Sequence, residues 1–107
     1  MTFNEVERLH LEKLASWRDA MDLVGPGALE PHVEDAVRSM GWIRDEGHWA
    51  DLGSGAGFPG ISFASRHGNS TIDLVESRRK RAIFLEQVLN AAKLDNATVL
   101  NVRAETL

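Results

Sequence analysis

The sequence contains no cysteine, which excludes disulfides and any thiolate metal site and suits a reducing, cytoplasmic compartment. No metal centre is expected. No apolar run approaches the ~20 residues of a membrane-spanning helix, and no cationic leader is followed by the apolar stretch of a secretion signal; no membrane role is expected. Internal repeats and low-complexity linkers are absent as well. The excess charge is negative, −4 over 107 residues, so no general positive field draws the chain to nucleic acid, and any such contact has to be local. At this length, with 43% hydrophobic content, at most one domain with a modest core is expected.

What is present centres on Asp51-Leu52-Gly53-Ser54-Gly55-Ala56-Gly57-Phe58-Pro59-Gly60, where three close glycines follow a short apolar run. A strand ending at Leu52 and turning on Gly53, Gly55 and Gly57 lets backbone approach a ligand where any Cβ would collide. A nucleotide-like cofactor is expected there. Gly55, Gly57 and Gly60 formally satisfy the dinucleotide pattern G-x-G-x-x-G. However, Asp51 directly before them would repel two phosphates, whereas it suits the ammonium or sulfonium of S-adenosylmethionine. Gly53 also already stands where the glycines of a dinucleotide site begin. A bare glycine triplet is equally an ordinary tight loop; the form D-x-G-x-G-x-G is more specific.

The next expected strand, Ser70 to Val75, is β-branched and apolar, follows Gly68-Asn69, and ends in Glu76. An acid about 20 residues past the glycines, at the tip of the next parallel strand, is placed to accept hydrogen bonds from ribose hydroxyls. The bland alternative is a solvated strand-end carboxylate. Immediately afterwards Arg78-Arg79-Lys80-Arg81 opens a helix, either as a local phosphate contact or as a solvated helix face.

Upstream, Thr2 and Glu5 have the spacing of a capping box. Phe3, Val6, His10, Leu14, Trp17, Met21 and Val24 then mark one helical face up to Gly25-Pro26-Gly27. His10 reads as a partly buried core histidine. A second helix is expected from Glu30-Pro31 to Gly41, with Val33, Ala36, Val37 and Met40 inward. His32 and Asp35, three apart, lie on neighbouring faces of it and either act together or are simple surface polar residues. After Asp45-Glu46-Gly47 come a strand over His48–Leu52, a helix through Ile61, Phe63 and Ala64 to Gly68, and the strand before Glu76. A helix from Arg78 to Ala92 follows, with Ala82, Leu85, Leu89 and Ala92 inward and Ile83, Phe84 and Val88 widening the stripe. A strand over Ala97–Val102 completes the series. The expected fold class is therefore α/β: a βαβαβ half sheet in strand order 3-2-1, preceded by N-terminal helices. The glycine turn, Glu76 and Arg103-Ala104-Glu105 all fall at the carboxyl ends of its strands.

DLGSGAGFPG at Asp51–Gly60, Leu74-Val75-Glu76-Ser77 with Lys80-Arg81 and Phe84-Leu85, and Arg103-Ala104-Glu105 together resemble the glucose-inhibited division protein B family, RsmG. These are bacterial methyltransferases that make 7-methylguanosine in small-subunit ribosomal RNA with S-adenosylmethionine. The Pro-Gly step after the third glycine is characteristic of them. Trp17 to Leu23 and His32-Val33-Glu34-Asp35 resemble the family's W-N-x-x-x-N-L and R-H-x-x-D segments, with Arg18, Asp22 and Pro31 as departures. The resemblance implies a Rossmann-like class I methyltransferase fold in part: helices over residues 1–44 facing substrate, and the first half of the cofactor unit over 45–107. It implies cofactor contacts from Asp51, Gly53, Ser54, Gly55, Gly57, Phe58, Glu76, Ser77, Ala104 and Glu105. RNA contacts would come from His32, Asp35, Arg78, Arg79, Lys80 and Arg81. The family continues for several strands beyond Leu107, so the first strand would be an open apolar edge, to be covered by a missing C-terminal half or by self-association.

Methyl transfer to guanine nitrogen 7 needs no general base, which agrees with the absence of an obvious acid/base dyad. Two rival readings stay open: methylation of a small molecule, favoured by the acidic net charge and the altered N-terminal segments, and a non-catalytic cofactor-binding or interaction module. A nicotinamide enzyme comes last, disfavoured by Asp51.

Overall fold

The computed structural model describes residues 2–21 and 27–107, the side chain of Met21 excepted. Asp22, Leu23, Val24 and the Gly25-Pro26 step, which entered the sequence reading, lie outside the described residues. The elements in chain order are α1 (Glu5–Met21), α2 (Glu30–Ser39), β1 (Gly47–Leu52), α3 (Gly60–Arg66), β2 (Ser70–Val75), α4 (Arg79–Ala92) and β3 (Ala97–Leu100), followed by a short 3₁₀ turn at Ala104–Thr106.

The sheet is parallel, in the order β1-β2-β3. Gly47 stands opposite Ser70, Leu52 opposite Val75, and Val75 opposite Leu100. Ser70, Ile72 and Leu74 are buried on one face of β2, while Thr71 on the other is exposed and Asp73 half-buried. That alternation is what a strand covered on one side only requires. The covering layer contains α3 and α4, both packed against α1. Its core is built from Leu14, Ile61, Phe63, Leu74, Phe84, Leu85 and Val88. No helix among the described residues is long and apolar enough to cross a membrane.

Several boundaries differ from the sequence reading for local reasons. The capping box of α1 is Asn4 with Glu7, not Thr2 with Glu5: Asn4 Oδ1 accepts from the Glu7 amide at 2.8 Å, and Glu7 Oε1 accepts from the Asn4 amide at 3.0 Å. This later register also lets the fully buried Glu7 pair with Arg66 on α3 at 2.7 Å. Helix α3 stops at Arg66, short of Gly68, where the His67 backbone leaves helical geometry (φ −121°, ψ 68°) and its ring caps the Phe63 carbonyl at 3.1 Å. Strand β3 ends at Leu100, two residues early, where the side-chain Nδ2 of Asn101 donates to the carbonyls of Glu76 and Ser77 in place of a further backbone ladder. On α4, Ile83 is 41% exposed and lies outside the stripe assigned to it.

Among the described residues β1 pairs with β2 alone. The expected apolar edge is there: Leu52 is 60% and Trp49 38% exposed, and Trp42, on the segment leading to β1, 83%.

Candidate functional site

The turn after β1 is held by backbone bonds before any side chain acts. The amides of Gly53 and Ser54 both donate to the Val75 carbonyl, at 2.8 and 3.0 Å, and the Gly57 amide donates to Ser54 O at 2.7 Å. Gly53, Gly55 and Gly57 take φ of 73°, 55° and 98°, the left-handed region in which a Cβ is strained. At Gly57 space is short as well: a Cβ would stand 2.5 Å from Ile61 Cδ1 and 2.8 Å from His10 Nε2.

Three side chains clamp this loop. Glu76, 4% exposed, accepts from the Gly55 amide through Oε1 and from the Arg78 amide through Oε2, both at 2.8 Å. Asp51 turns back onto the Gly60 amide at the start of α3, at 3.2 Å. Burial pushes its carboxyl above the usual aspartate range, against bonds from Ser54 and Gly60 that pull it down and with the negative charge of Glu76 adding to the rise. His10, fully buried on α1, donates from Nε2 to the Ala56 carbonyl at 2.7 Å. Burial pushes its pKa down to about 4, so the ring is neutral, and its Nδ1 has no hydrogen-bond partner among the described residues.

At the strand ends lies a cleft of about 570 Å³, within the ~300–1,000 Å³ of small-molecule sites. Of the expected cofactor residues, Gly53, Ser77, Ala104 and Glu105 line it together. A Cβ at Gly53 would meet no protein atom within 4 Å, so it would take up ligand space, not core space. Val75 and Val102 give apolar walls, and Arg78 and Arg103 bring cations. These four stood outside the expected cofactor set, although Val75 and Arg103 lie in the motifs that carry the resemblance and Arg78 in the run expected at RNA; for Val102 the only signal was its position just after a strand end. The donors, acceptors and apolar walls of the cleft fit a nucleoside carrying a charged amino-acid tail. Asp51, Ser54, Gly55, Gly57 and Glu76 do not line the cleft; they shape the loop that does.

Phe58 faces elsewhere. Its ring centroid lies 4.6 Å from that of His10 and 5.4 Å from that of His32, the latter nearly parallel at 24°. Phe58 lines a second concavity of about 320 Å³, with Pro59 and with His32, Asp35, Ala36 and Ser39 of α2. His32 and Asp35 are thus brought together. Of the basic run, Arg78, Arg79 and Lys80 are exposed and Arg81 is half-buried; Arg78 lines the cleft, and Lys80 donates to Ala20 O on α1 at 3.4 Å. No cluster of three potential metal ligands occurs among the described residues.

Residues 4–107 match the family model described as GidB, rRNA small subunit methyltransferase G. Among the relatives, the ribosomal RNA small subunit methyltransferase G of Erythrobacter litoralis is 39% identical over 99 residues, covering 88% of this chain and 48% of that protein. Its namesake in Pseudomonas putida is 33% identical over 112 residues, covering 98% and 52%. That of Paenarthrobacter aurescens is 31% identical over 105 residues, covering 94% and 49%. The chain spans about half the length of the curated relatives it matches. With the model matched over nearly the whole chain, it belongs to the rRNA small subunit methyltransferase G (GidB) family.

Proposed function

We propose that this chain is the S-adenosylmethionine-binding part of a Rossmann-like class I methyltransferase that methylates guanine nitrogen 7 in small-subunit ribosomal RNA, in a cytoplasmic setting. The observation that carries the reading is the cleft itself, which gathers Gly53, Ser77, Ala104 and Glu105 from the ends of three different strands. Residues 45–107 form the first half of the cofactor unit, and residues 1–44 supply the substrate-facing wall. The exposed side of β1 is covered by a further half of the protein or by a second copy.

The cofactor supplies an electrophilic methyl group on a sulfonium. Guanine nitrogen 7 carries a lone pair and no proton, so no residue of the chain has to act as a base. What the protein contributes is position. The Ser77 hydroxyl and Glu105 carboxylate bind polar groups in the cleft, Val75 and Val102 exclude water from one side, and Gly53 lets the backbone come close. Glu76 keeps the glycine loop in shape through Gly55.

A second reading, methylation of a small molecule, is favoured by one observation. Two of the four cations expected to meet RNA have contacts of their own, Arg78 at the cleft and Lys80 on α1.

Calorimetric titration of the 107-residue chain with S-adenosylmethionine, with NAD as the control, tests the proposal. Saturable binding of the methionine cofactor alone is expected. Binding of NAD in its place, or of neither by a folded chain, would overturn it. Retention on ribosomal RNA at low salt separates the RNA substrate from a small molecule.

A further inference from the structure

We propose that the concavity at Phe58 seats the acceptor guanine and that Asp35 reads its Watson–Crick edge. The proposal rests on the methyl-transfer reading above and names the base-recognising residue that it leaves open.

The concavity is lined by an aromatic pair and one carboxylate. The ring of His32 lies nearly parallel to that of Phe58, and Phe58 is backed by the buried ring of His10 at 4.6 Å. With His10 on one face of Phe58 and His32 on the other, the three rings form a supported stack, and the exposed imidazole of His32 at its outer end is the platform on which a base stacks with little ordering of the protein. Asp35, its side chain 76% exposed, stands at the same concavity. Arg38 Nη1 lies 3.3 Å from Asp35 Oδ1, and no bond to Asp35 Oδ2 is made by this pair.

An ionised carboxylate only accepts hydrogen bonds. Guanine is the base whose Watson–Crick edge offers two donors side by side, N1–H and N2–H₂; adenine sets an acceptor nitrogen beside its one amino group, and a carboxylate there meets a lone pair. A stacked base read by Asp35 is therefore guanine. Nitrogen 7 lies on the opposite edge of the purine, so a guanine held in this way leaves its methyl-accepting atom turned away from Asp35. The loop from Gly53 to Pro59 contributes to both concavities, Gly53 to the cofactor cleft and Phe58 with Pro59 to the other. The two ligands would sit along one turn.

The test is titration of the isotopically labelled chain with GMP, IMP and AMP, followed by amide shifts, with S-adenosylhomocysteine titrated separately. GMP is expected to shift His32, Asp35 and Phe58 and to bind about tenfold more tightly than AMP, with IMP, which lacks the N2 amine, between them. Asp35→Asn should reduce the preference for GMP over AMP to less than about twofold, while S-adenosylhomocysteine binds as before. His32→Ala should weaken all three nucleotides alike. Equal binding of GMP and AMP to the unaltered chain, GMP shifts confined to residues away from Phe58, or an undiminished preference in Asp35→Asn would each overturn the proposal. If S-adenosylhomocysteine binds while GMP leaves the concavity untouched, only the guanine seat fails. If GMP shifts the concavity as expected while S-adenosylhomocysteine does not bind, the cofactor reading fails and the seat stands.

Discussion

His10 makes the stability of the glycine loop depend on pH. The imidazole is fully buried, donates to Ala56 O in the loop, and packs on Phe58. Burial lowers its pKa from 6.5 to about 4, against the Ala56 bond and the nearby charge of Glu7, which favour the proton. Between those two values the unfolded chain binds a proton that the folded chain refuses, so stability falls as pH falls. At about 1.4 kcal/mol per unit, the whole window amounts to about 3 kcal/mol, and the step from pH 7 to pH 5 to about 2 kcal/mol. Asp51 acts in the opposite sense, since its pKa is raised in the fold and it therefore adds stability as pH falls. The difference between two chains is accordingly the clean quantity. Urea unfolding at pH 7, 6 and 5 should be compared with that of His10→Gln, which keeps an N–H for Ala56 O and does not titrate. The unaltered chain should lose about 2 kcal/mol more than the variant from pH 7 to pH 5. Equal losses would show that His10 is protonated without penalty in the fold, and would refute the reasoning.

Three other outcomes follow from the same site. Glu76→Gln leaves one of two backbone amides, Gly55 or Arg78, facing a donor at a buried side chain; a loss of about 1–2 kcal/mol in urea unfolding and weaker S-adenosylmethionine binding by calorimetry are expected, and unchanged values would contradict the clamp. Gly57→Ala, at φ 98° with a Cβ 2.5 Å from Ile61 Cδ1, should cost about 2–4 kcal/mol. Gly41→Ala, whose Cβ would meet only Arg38 O at 3.7 Å, should stay within about 0.5 kcal/mol, and thermal melts of the two distinguish them. Burial works against ionisation of Glu7, but bonds from Arg66 and the Asn4 amide outweigh it and hold its pKa below 4.5. Its stabilisation is present above that value and lost as pH falls through the folded pKa, so Glu7→Gln should cost about 3 kcal/mol at pH 7 and less at pH 3.

What was legible in the sequence was set by short-range chemistry. Ser70–Val75 has the expected bounds because a β-branched run between Gly68-Asn69 and Glu76 leaves few alternatives. Helix α2 begins at Glu30 because Pro31 suits a first turn, and its inward Val33, Ala36 and Met40 are buried. The errors came where a side chain answered a distant group. Asn4 outcompeted Thr2 as the cap because its register delivers Glu7 to Arg66, 59 residues on. Strand β3 ended early because Asn101 found carbonyls 24 and 25 residues back.

The same distinction separates the two kinds of residue at the site. The spacing of Glu76 from the glycines placed an acid at the strand end, but spacing cannot say whether a carboxylate turns outward to a ribose or inward to an amide. Here it turns inward, since Gly55 at φ 55° aims its N–H at the strand end, and each oxygen of Glu76 takes one backbone donor. A carboxylate oxygen has a second lone pair, so support of the loop and a bond to a ligand hydroxyl are compatible at one residue. The loop is thereby shaped by the acid that spacing assigns to the ligand. His10, which spacing assigned only to the core, closes the other side from a helix 46 residues away. The N-terminal helices therefore help to build the Phe58 concavity: α1 fixes the back of Phe58 through His10, and α2 lays His32 against its face. A substitution at His10 should for that reason reach the Phe58 concavity before it reaches the cleft at Ser77 and Glu105.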